Sequence, residues 1–334
     1  MISVRDVDIK NKKVLLKIDG DTPMINNRVA DDYRLQVSLP TIEYILKKGA
    51  AEIIILSHLG RPKGKVAPEL KMAPAAERLA ELLKMAFRPA AGGYEIGAKI
   101  KFLENIRFDK REEENNQSLA EEWARQADIF VQDGLADCHR LYASVVAITK
   151  LLPSFAGCRL EQEIEELDCL LNPPRPFVAI IGGDKLDDKL PLAQKIARQA
   201  DRVLLGGMVA NAFQDDDGKF VLPIDDVEER GNIRDIGDKT IEKFSEIIAA
   251  AKTIFWAGCL GVVEDEKFQT GSRQIALAIG QSQAATRVAA GGDTVGFLRQ
   301  HHLDNNFTFL SAGGAATLEY LTEGKLAGVE ALRK

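Results

Sequence analysis

The chain has 334 residues, a formal net charge of −6, 46% apolar and 28% charged residues, and only 6% aromatic ones. That length fits two domains better than one core, and the composition is that of a globular chain rather than a disordered, fibrous or membrane-embedded one. The acidic balance supplies no field that would gather nucleic acid or anionic lipid, so any anion site must be local.

Met1 to Lys10 has no apolar signal core, and no run reaches the roughly 18 apolar residues of a membrane span. A cytoplasmic protein with no membrane or nucleic-acid partner is therefore expected. Cys138, Cys158, Cys169 and Cys259 form no CxxC pair, and His58, His139, His301 and His302 have no HExxH spacing. These patterns point to packed, reduced thiols and away from a zinc knuckle or a tightly held protein metal.

Short β-branched runs alternate with amphipathic stretches, the rhythm of βαβ crossovers in parallel sheets with helices on both faces. In chain order, strands are predicted at Val14–Ile18, Ile53–Ser57, Ile100–Leu103 and Ile129–Gln132, with helices over Tyr33–Lys48 and Ala75–Lys84. Arg159–Leu171 then carries Leu160, Ile164, Leu167, Leu170 and Leu171 at helical spacing and stops at Asn172-Pro173-Pro174. It reads as an interdomain helix and hinge. A second series of strands follows at Phe177–Ile181, Val203–Leu205, Phe220–Ile224, Thr253–Trp256, Val288–Ala290 and Phe307–Ser311. Asp215-Asp216-Asp217-Gly218 reads as a solvated turn. The predicted class is α/β, with two doubly wound, Rossmann-like parallel-sheet domains joined by a hinge helix.

Ligands of such sheets bind beyond the carboxyl ends of the strands. In the first half those positions hold Asp19 and Asp21 with Arg34 just after, then Ser57-His58-Leu59-Gly60-Arg61, then Glu104-Asn105-Ile106-Arg107, then Gln132-Asp133-Gly134 leading to His139-Arg140. One arginine in a loop is usually a surface ion pair. Four from separate strands or their loops suit a small polyanion, because guanidinium forks match carboxylate and phosphate oxygens.

The second half places glycines at the same junctions: Gly182-Gly183, Gly206-Gly207, Gly258, Gly291-Gly292 and Gly313-Gly314. Tight βα turns account for one or two such sites; recurrence at most strands favours backbone N–H groups at helix starts cradling phosphates. Lys185 and Lys189, at i and i+4, project from one helix face toward the same phosphates, although a solvated lysine pair has the same spacing. The chain contains no GxxxxGK[ST] and no GxGxxG, which disfavours P-loop NTPases and nicotinamide dehydrogenases.

From about Val14 to Leu332 these segments resemble, in order, the phosphoglycerate kinase family. Ser57-His58-Leu59-Gly60-Arg61-Pro62-Lys63-Gly64, Leu103-Glu104-Asn105-Ile106-Arg107-Phe108, Asp31-Asp32-Tyr33-Arg34 and His139-Arg140 match its substrate side. Gly182-Gly183-Asp184-Lys185-Leu186-Asp187-Asp188-Lys189, Phe255-Trp256-Ala257-Gly258-Cys259-Leu260-Gly261, Gly291-Gly292-Asp293-Thr294 and Ala312-Gly313-Gly314-Ala315 match its nucleotide side. The resemblance implies reversible phosphoryl transfer between 1,3-bisphosphoglycerate and ADP, with Mg²⁺ and ATP or ADP as cofactors, in a monomer. It implies that Asp19, Asp21, Arg34, His58, Arg61, Arg107 and Arg140 line the 3-phosphoglycerate site. Gly183, Lys185, Lys189, Gly207, Glu264, Gly292, Asp293, Thr294, Gly313 and Gly314 would meet the nucleotide, with Asp293 on the metal. Arg34, Lys189 and Gly313 would act on the transferring group. The substrate domain would span 1–157, the interdomain helix 158–171 and the nucleotide domain 172–321, with 322–334 returning to the first domain.

Several positions depart from the family pattern. Asp21 stands in place of Asn, Gly20 of Phe and Asp137 of Thr; Asp184 and Asp187 add charge near the phosphates, and Ala257, Cys259, Ala312 and Ala315 replace other motif residues. An unpaired carboxylate beside an anionic substrate repels it unless protonated. Two alternatives therefore stay open: a kinase-like protein with lost or altered catalysis acting in binding, and an acyl-phosphate kinase for a different acid. Segments near 84–101 and 213–220 are also shorter than the family pattern.

Overall fold

The computed structural model describes every residue except 185, 212, 214–217 and 334, and the side chains of 186–188 and 211 are likewise left aside. Lys185 and the acidic turn residues Asp215, Asp216 and Asp217 lie outside the described residues, as does the side chain of Asp187. The chain divides into two compact units, Met1–Ile164 with Lys325–Lys334, and Glu165–Gly324.

The first unit runs through β1 (Lys13–Lys17), a small hairpin of β2 (Met24–Ile25) and β3 (Arg28–Val29), α1 (Tyr33–Gln36), α2 (Leu39–Lys47), β4 (Glu52–Leu56), α3 (Ala73–Leu83), β5 (Phe87–Ala90), β6 (Gly93–Ile96), β7 (Ile100–Leu103), α4 (Gln117–Ala124), β8 (Ile129–Gln132) and β9 (Ser154–Ala156). Its sheet has the order β5-β6-β7-β4-β1-β8-β9. β7, β4, β1, β8 and β9 pair in parallel. Side-chain alternation explains the unbroken apolar strands: Val14, Leu16, Ile53 and Ile55 enter one core layer, while Leu15, Ile54, Leu56 and Phe130 enter the layer on the other face. Each such side chain, fully buried, contributes about 1.5–3 kcal/mol relative to exposure.

Two expectations for this unit are corrected. The helix predicted over Tyr33–Lys48 is two helices, because Pro40 lies in the first turn of α2 and cannot sit inside a continuous helix. The sheet is also mixed rather than purely parallel. β5 and β6 add an antiparallel ribbon to β7. Pro89 falls on the edge strand β5, where its missing N–H costs no ladder bond.

α5 (Cys158–Leu171) follows, and the boundary between the units falls within it. The second unit contains β10 (Phe177–Ile181), α6 (Leu186–Ile196), β11 (Arg202–Leu205), α7 (Gly207–Asn211), β12 (Phe220–Val221), a hairpin of β13 (Asp226–Glu229) and β14 (Asn232–Ile236), α8 (Asp238–Ala249), β15 (Thr253–Ala257), α9 (Thr270–Gln281), β16 (Thr286–Ala290), α10 (Gly292–Gln300), β17 (Phe309–Ser311) and α11 (Ala315–Glu323). Its parallel sheet is ordered β12-β11-β10-β15-β16-β17. The third predicted strand of this half is short, ending at Val221 rather than Ile224. A final helix, α12 (Ala327–Ala331), belongs to the first unit. Cys138, Cys158 and Cys259 are buried free thiols, and Cys169 is exposed. No helix among the described residues is long and apolar enough to cross a membrane.

Candidate active site

At the carboxyl edge of the first sheet, four loops are tied together by buried polar side chains. Asn105, after β7, donates from its amide nitrogen to the carbonyls of Leu59 and Leu70, both at 2.8 Å. Ser57, ending the run that begins in β4, donates to the Ile18 carbonyl at 3.2 Å. These bonds fix the loops after β1, β4 and β7 against one another. On this frame Asp19, Asp21, Arg34, His58 and Arg107 are held close to one another.

Within this frame Arg34, on α1, donates to Asp19 Oδ2 at 2.8 Å, and Asp19 Oδ1 accepts from the Asp21 backbone N–H at 3.1 Å. Asp21 Oδ1 in turn accepts from the Gly60 N–H at 2.8 Å, with Oδ2 3.8 Å from His58 Nε2. Deeper still, Asp137 receives Lys17 Nζ at 2.9 Å and Arg107 Nη2 at 2.8 Å, and His58 Nδ1 stands 3.2 Å away. Burial alone would push the Asp137 carboxyl up; the charges of His58, Lys17 and Arg107 outweigh it and hold the group well below the usual carboxylate range. Arg107 Nη1 donates to the Gly60 carbonyl at 3.0 Å, and the guanidinium lies 5.4 Å from the Tyr142 ring centroid. Arg61 and Arg140, on the same loops, are exposed.

The added carboxylates are thus partnered by the protein: Asp137 by two cations and His58, Asp21 by a backbone amide. Lys17 and Tyr142 were not among the predicted site residues. Lys17 is the last residue of β1, inside the strand rather than beyond it, and its signal was a lysine directly after the apolar run Val14-Leu15-Leu16. Tyr142 carried no signal apart from following His139-Arg140. Asp133, by contrast, is structural. It is fully buried, accepts from Thr41 Oγ1 at 2.5 Å and from the Arg159 N–H at 3.0 Å, and burial pushes its pKa up to about 7.

The second unit carries a cavity of ≈ 950 Å³ at the carboxyl edge of its sheet. Gly183, Lys189, Gly207, Glu264, Gly292, Asp293, Thr294 and Gly314 line it, joined by Asp184 and Cys259. The helices α10 and α11 begin at its wall and turn their positive ends toward an anion there, although the Ala316 N–H of α11 already donates to the Gly313 carbonyl at 3.1 Å. Gly258 is demanded by the protein itself: its φ is +101° and a Cβ would stand 2.0 Å from the Gly182 carbonyl oxygen. Gly292 is different. A Cβ there would meet nothing within 4 Å and its φ is not positive, so neither packing nor backbone conformation requires glycine. Gly292 lines the cavity, where a ligand's phosphate could approach its backbone.

Two predicted residues have partners within the protein. Gly313 is not part of the cavity wall, and its buried N–H donates to Ser311 Oγ at 3.2 Å. The Thr294 hydroxyl accepts from the Gly258 N–H at 2.8 Å, bracing the loop after β15, while the residue lines the cavity. The Cys259 thiol is pushed up to about 12 by burial and by Asp293 and Glu264, so it stays neutral. Asp293 is the carboxylate suited to a divalent ion bridged by phosphates, since magnesium commonly takes one or two protein carboxylates and completes its shell with phosphate and water. Among the described residues there is no cluster of three metal-ligating side chains.

A family model for phosphoglycerate kinase matches residues 4–222 and 214–325. The chain belongs to the phosphoglycerate kinase family. It is 36% identical to the phosphoglycerate kinase of Thermosipho africanus, over 99% of this chain and 97% of the relative. It is 38% identical to that of Rubrobacter xylanophilus with the same coverage. Both alignments, over 392 and 384 residues, are longer than this chain, so these relatives carry residues that it lacks. Among solved structures, the phosphoglycerate kinase of Coxiella burnetii superposes with a TM-score of 0.82 at 30% identity, covering 99% of this chain and 98% of the other. That of Pyrococcus horikoshii OT3 gives 0.86 at 27% identity, covering 100% and 98%. The two-domain α/β architecture read from the sequence is that of the family.

Proposed function

We propose that the chain catalyses reversible phosphoryl transfer between 1,3-bisphosphoglycerate and ADP, giving 3-phosphoglycerate and ATP, as a cytoplasmic monomer. In the reverse direction the 3-phosphoglycerate carboxylate is the acceptor: one of its oxygens bonds to the γ-phosphorus as the bond to the ADP oxygen breaks. Such a transfer needs positioning and charge neutralisation more than a general base.

The observation that carries this reading is the pairing of two sites in one chain. One is a basic, side-chain-built sheet edge; the other is a glycine-lined cavity whose Gly292 has no reason of its own to be glycine. Asp19, Asp21, Arg34, His58, Arg61, Arg107 and Arg140 are assigned to the acid. Gly183, Lys189, Gly207, Glu264, Gly292, Asp293, Thr294 and Gly314 are assigned to the nucleotide. Mg²⁺, held by Asp293 with nucleotide oxygens, would supply further neutralisation of phosphate charge. Arg34 steadies the transferring group, and Lys189 addresses the nucleotide phosphates. Since the acid and the nucleotide are assigned to different units, domain closure about the helix 158–171 is part of the proposed cycle and excludes water from the transfer.

A coupled assay of ATP- and Mg²⁺-dependent phosphorylation of 3-phosphoglycerate tests the reading. Turnover is expected from the wild type. Its absence from folded protein that still binds nucleotide would favour a kinase-like binding protein instead.

A further inference from the structure

In the first-unit site, two cations and a histidine from three separate strand ends converge on one carboxylate. Lys17 closes β1, His58 follows β4 and Arg107 follows β7, while Asp137 comes from the loop after β8. All four side chains are at least nine-tenths buried. In so dry a setting a carboxylate between cations is held firmly, because each attraction is far stronger than in water. Arg107 has one terminal nitrogen on Asp137 and the other on the Gly60 carbonyl, so its fork is committed to the protein. The cations that remain at the surface of this edge, Arg61 and Arg140, are the exposed ones.

We propose that Asp137 is a specificity-determining residue of this site: an internal anion that occupies Lys17, His58 and Arg107 and lowers the site's affinity for an oxyanion of the substrate. This rests on assigning 3-phosphoglycerate to the first unit. A substrate group must compete with Asp137 for the deep cations or rely on the outer arginines alone. Either route discriminates against highly charged acids. The position would thus set how much negative charge the pocket accepts, in a site whose remaining cations match the family pattern.

The test is isothermal titration of 3-phosphoglycerate into the wild type, Asp137→Thr and Asp137→Asn, with turnover measured in parallel. Both substitutions are expected to tighten binding, the Thr variant by at least about tenfold, a step of about 1.4 kcal/mol. The KM for 3-phosphoglycerate should fall with it. A purely structural ion cluster predicts the opposite, since breaking it loosens the site. Asn retains the size and an acceptor oxygen, so it covers the case in which the buried Lys17 prevents the Thr variant from folding; the double variant Lys17→Met with Asp137→Thr removes both charges. Unchanged or weaker binding in the folded variants overturns the proposal. A wild type without turnover whose variants nevertheless bind more tightly would overturn the catalytic reading and leave this one standing.

Discussion

The two candidate sites solve anion recognition in opposite ways. The first unit uses side chains that already bind one another: Arg34 with Asp19, and Lys17, His58 and Arg107 around Asp137. The second sets glycines and helix starts around an open cavity whose charged side chains, among them Lys189, Lys195, Arg234 and Asp293, stand at the wall rather than in a buried cluster. A side-chain site can be retuned by one substitution because an added carboxylate finds partners at once. A backbone cradle cannot be, since its donors belong to the fold and any added Cβ either strikes the frame or fills the ligand's space.

Substitutions can break that contrast, and the largest effect is expected at Lys189. Lys189→Ala should lower turnover by about 10²–10³, as loss of a cation at a developing phosphoryl charge does, while 3-phosphoglycerate affinity stays near wild type in titration. Equal loss of both would remove the lysine from the nucleotide side. Next comes the frame of the cradle. Gly258→Ala should cost roughly 3 kcal/mol in chemical denaturation, from left-handed backbone strain and collision with the Gly182 carbonyl.

Gly292→Ala sharpens the same point in reverse. Its unfolding midpoint should match the wild type, while nucleotide Kd rises about tenfold, about 1.4 kcal/mol. A stability loss without an affinity loss would contradict a cavity-side role. An effect of another kind, on stability against pH alone, is expected at Asp133, away from either ligand. Its folded pKa, about 7, lies above the ordinary 3.8, so the native state holds a proton that the unfolded chain has released. Stability therefore falls as pH rises between those values. Denaturation midpoints should decline across that window and decline less in Asp133→Asn. Asp235, pushed up to about 6 by burial, keeps part of the slope. An identical slope in the variant would count against a protonated Asp133.

The parallel strands were legible because burial on both faces leaves continuous β-branched runs, such as Ile53–Leu56 and Phe177–Ile181. The hairpins were not. Phe87–Ala90 contains Pro89 and an exposed arginine, and Asp226–Glu229 is largely charged, so neither has an apolar pattern to read. At the sites, residues lying beyond strand ends were found because their position alone was informative. Lys17 escaped since it is part of a strand, and the partnership of Asp137 with three loops depends on contacts separated by 30 to 120 positions. Which carboxylates repel and which are neutralised is a question of such contacts. No local window contains them.

The last ten residues, Lys325–Lys334, belong to the first unit, where the Gly328 N–H donates to the Cys138 carbonyl at 2.8 Å and leaves no room for a Cβ beside Val145. The order of synthesis follows from this. On the ribosome, residues 165–324 form an uninterrupted stretch that can close as soon as it emerges, whereas the earlier-made unit must wait, with Cys138 and Val145 uncovered, for the segment after Gly324. The loop carrying Asp137 is thus sealed only after residue 324 has been made, and a stop codon before Lys325 would leave it open.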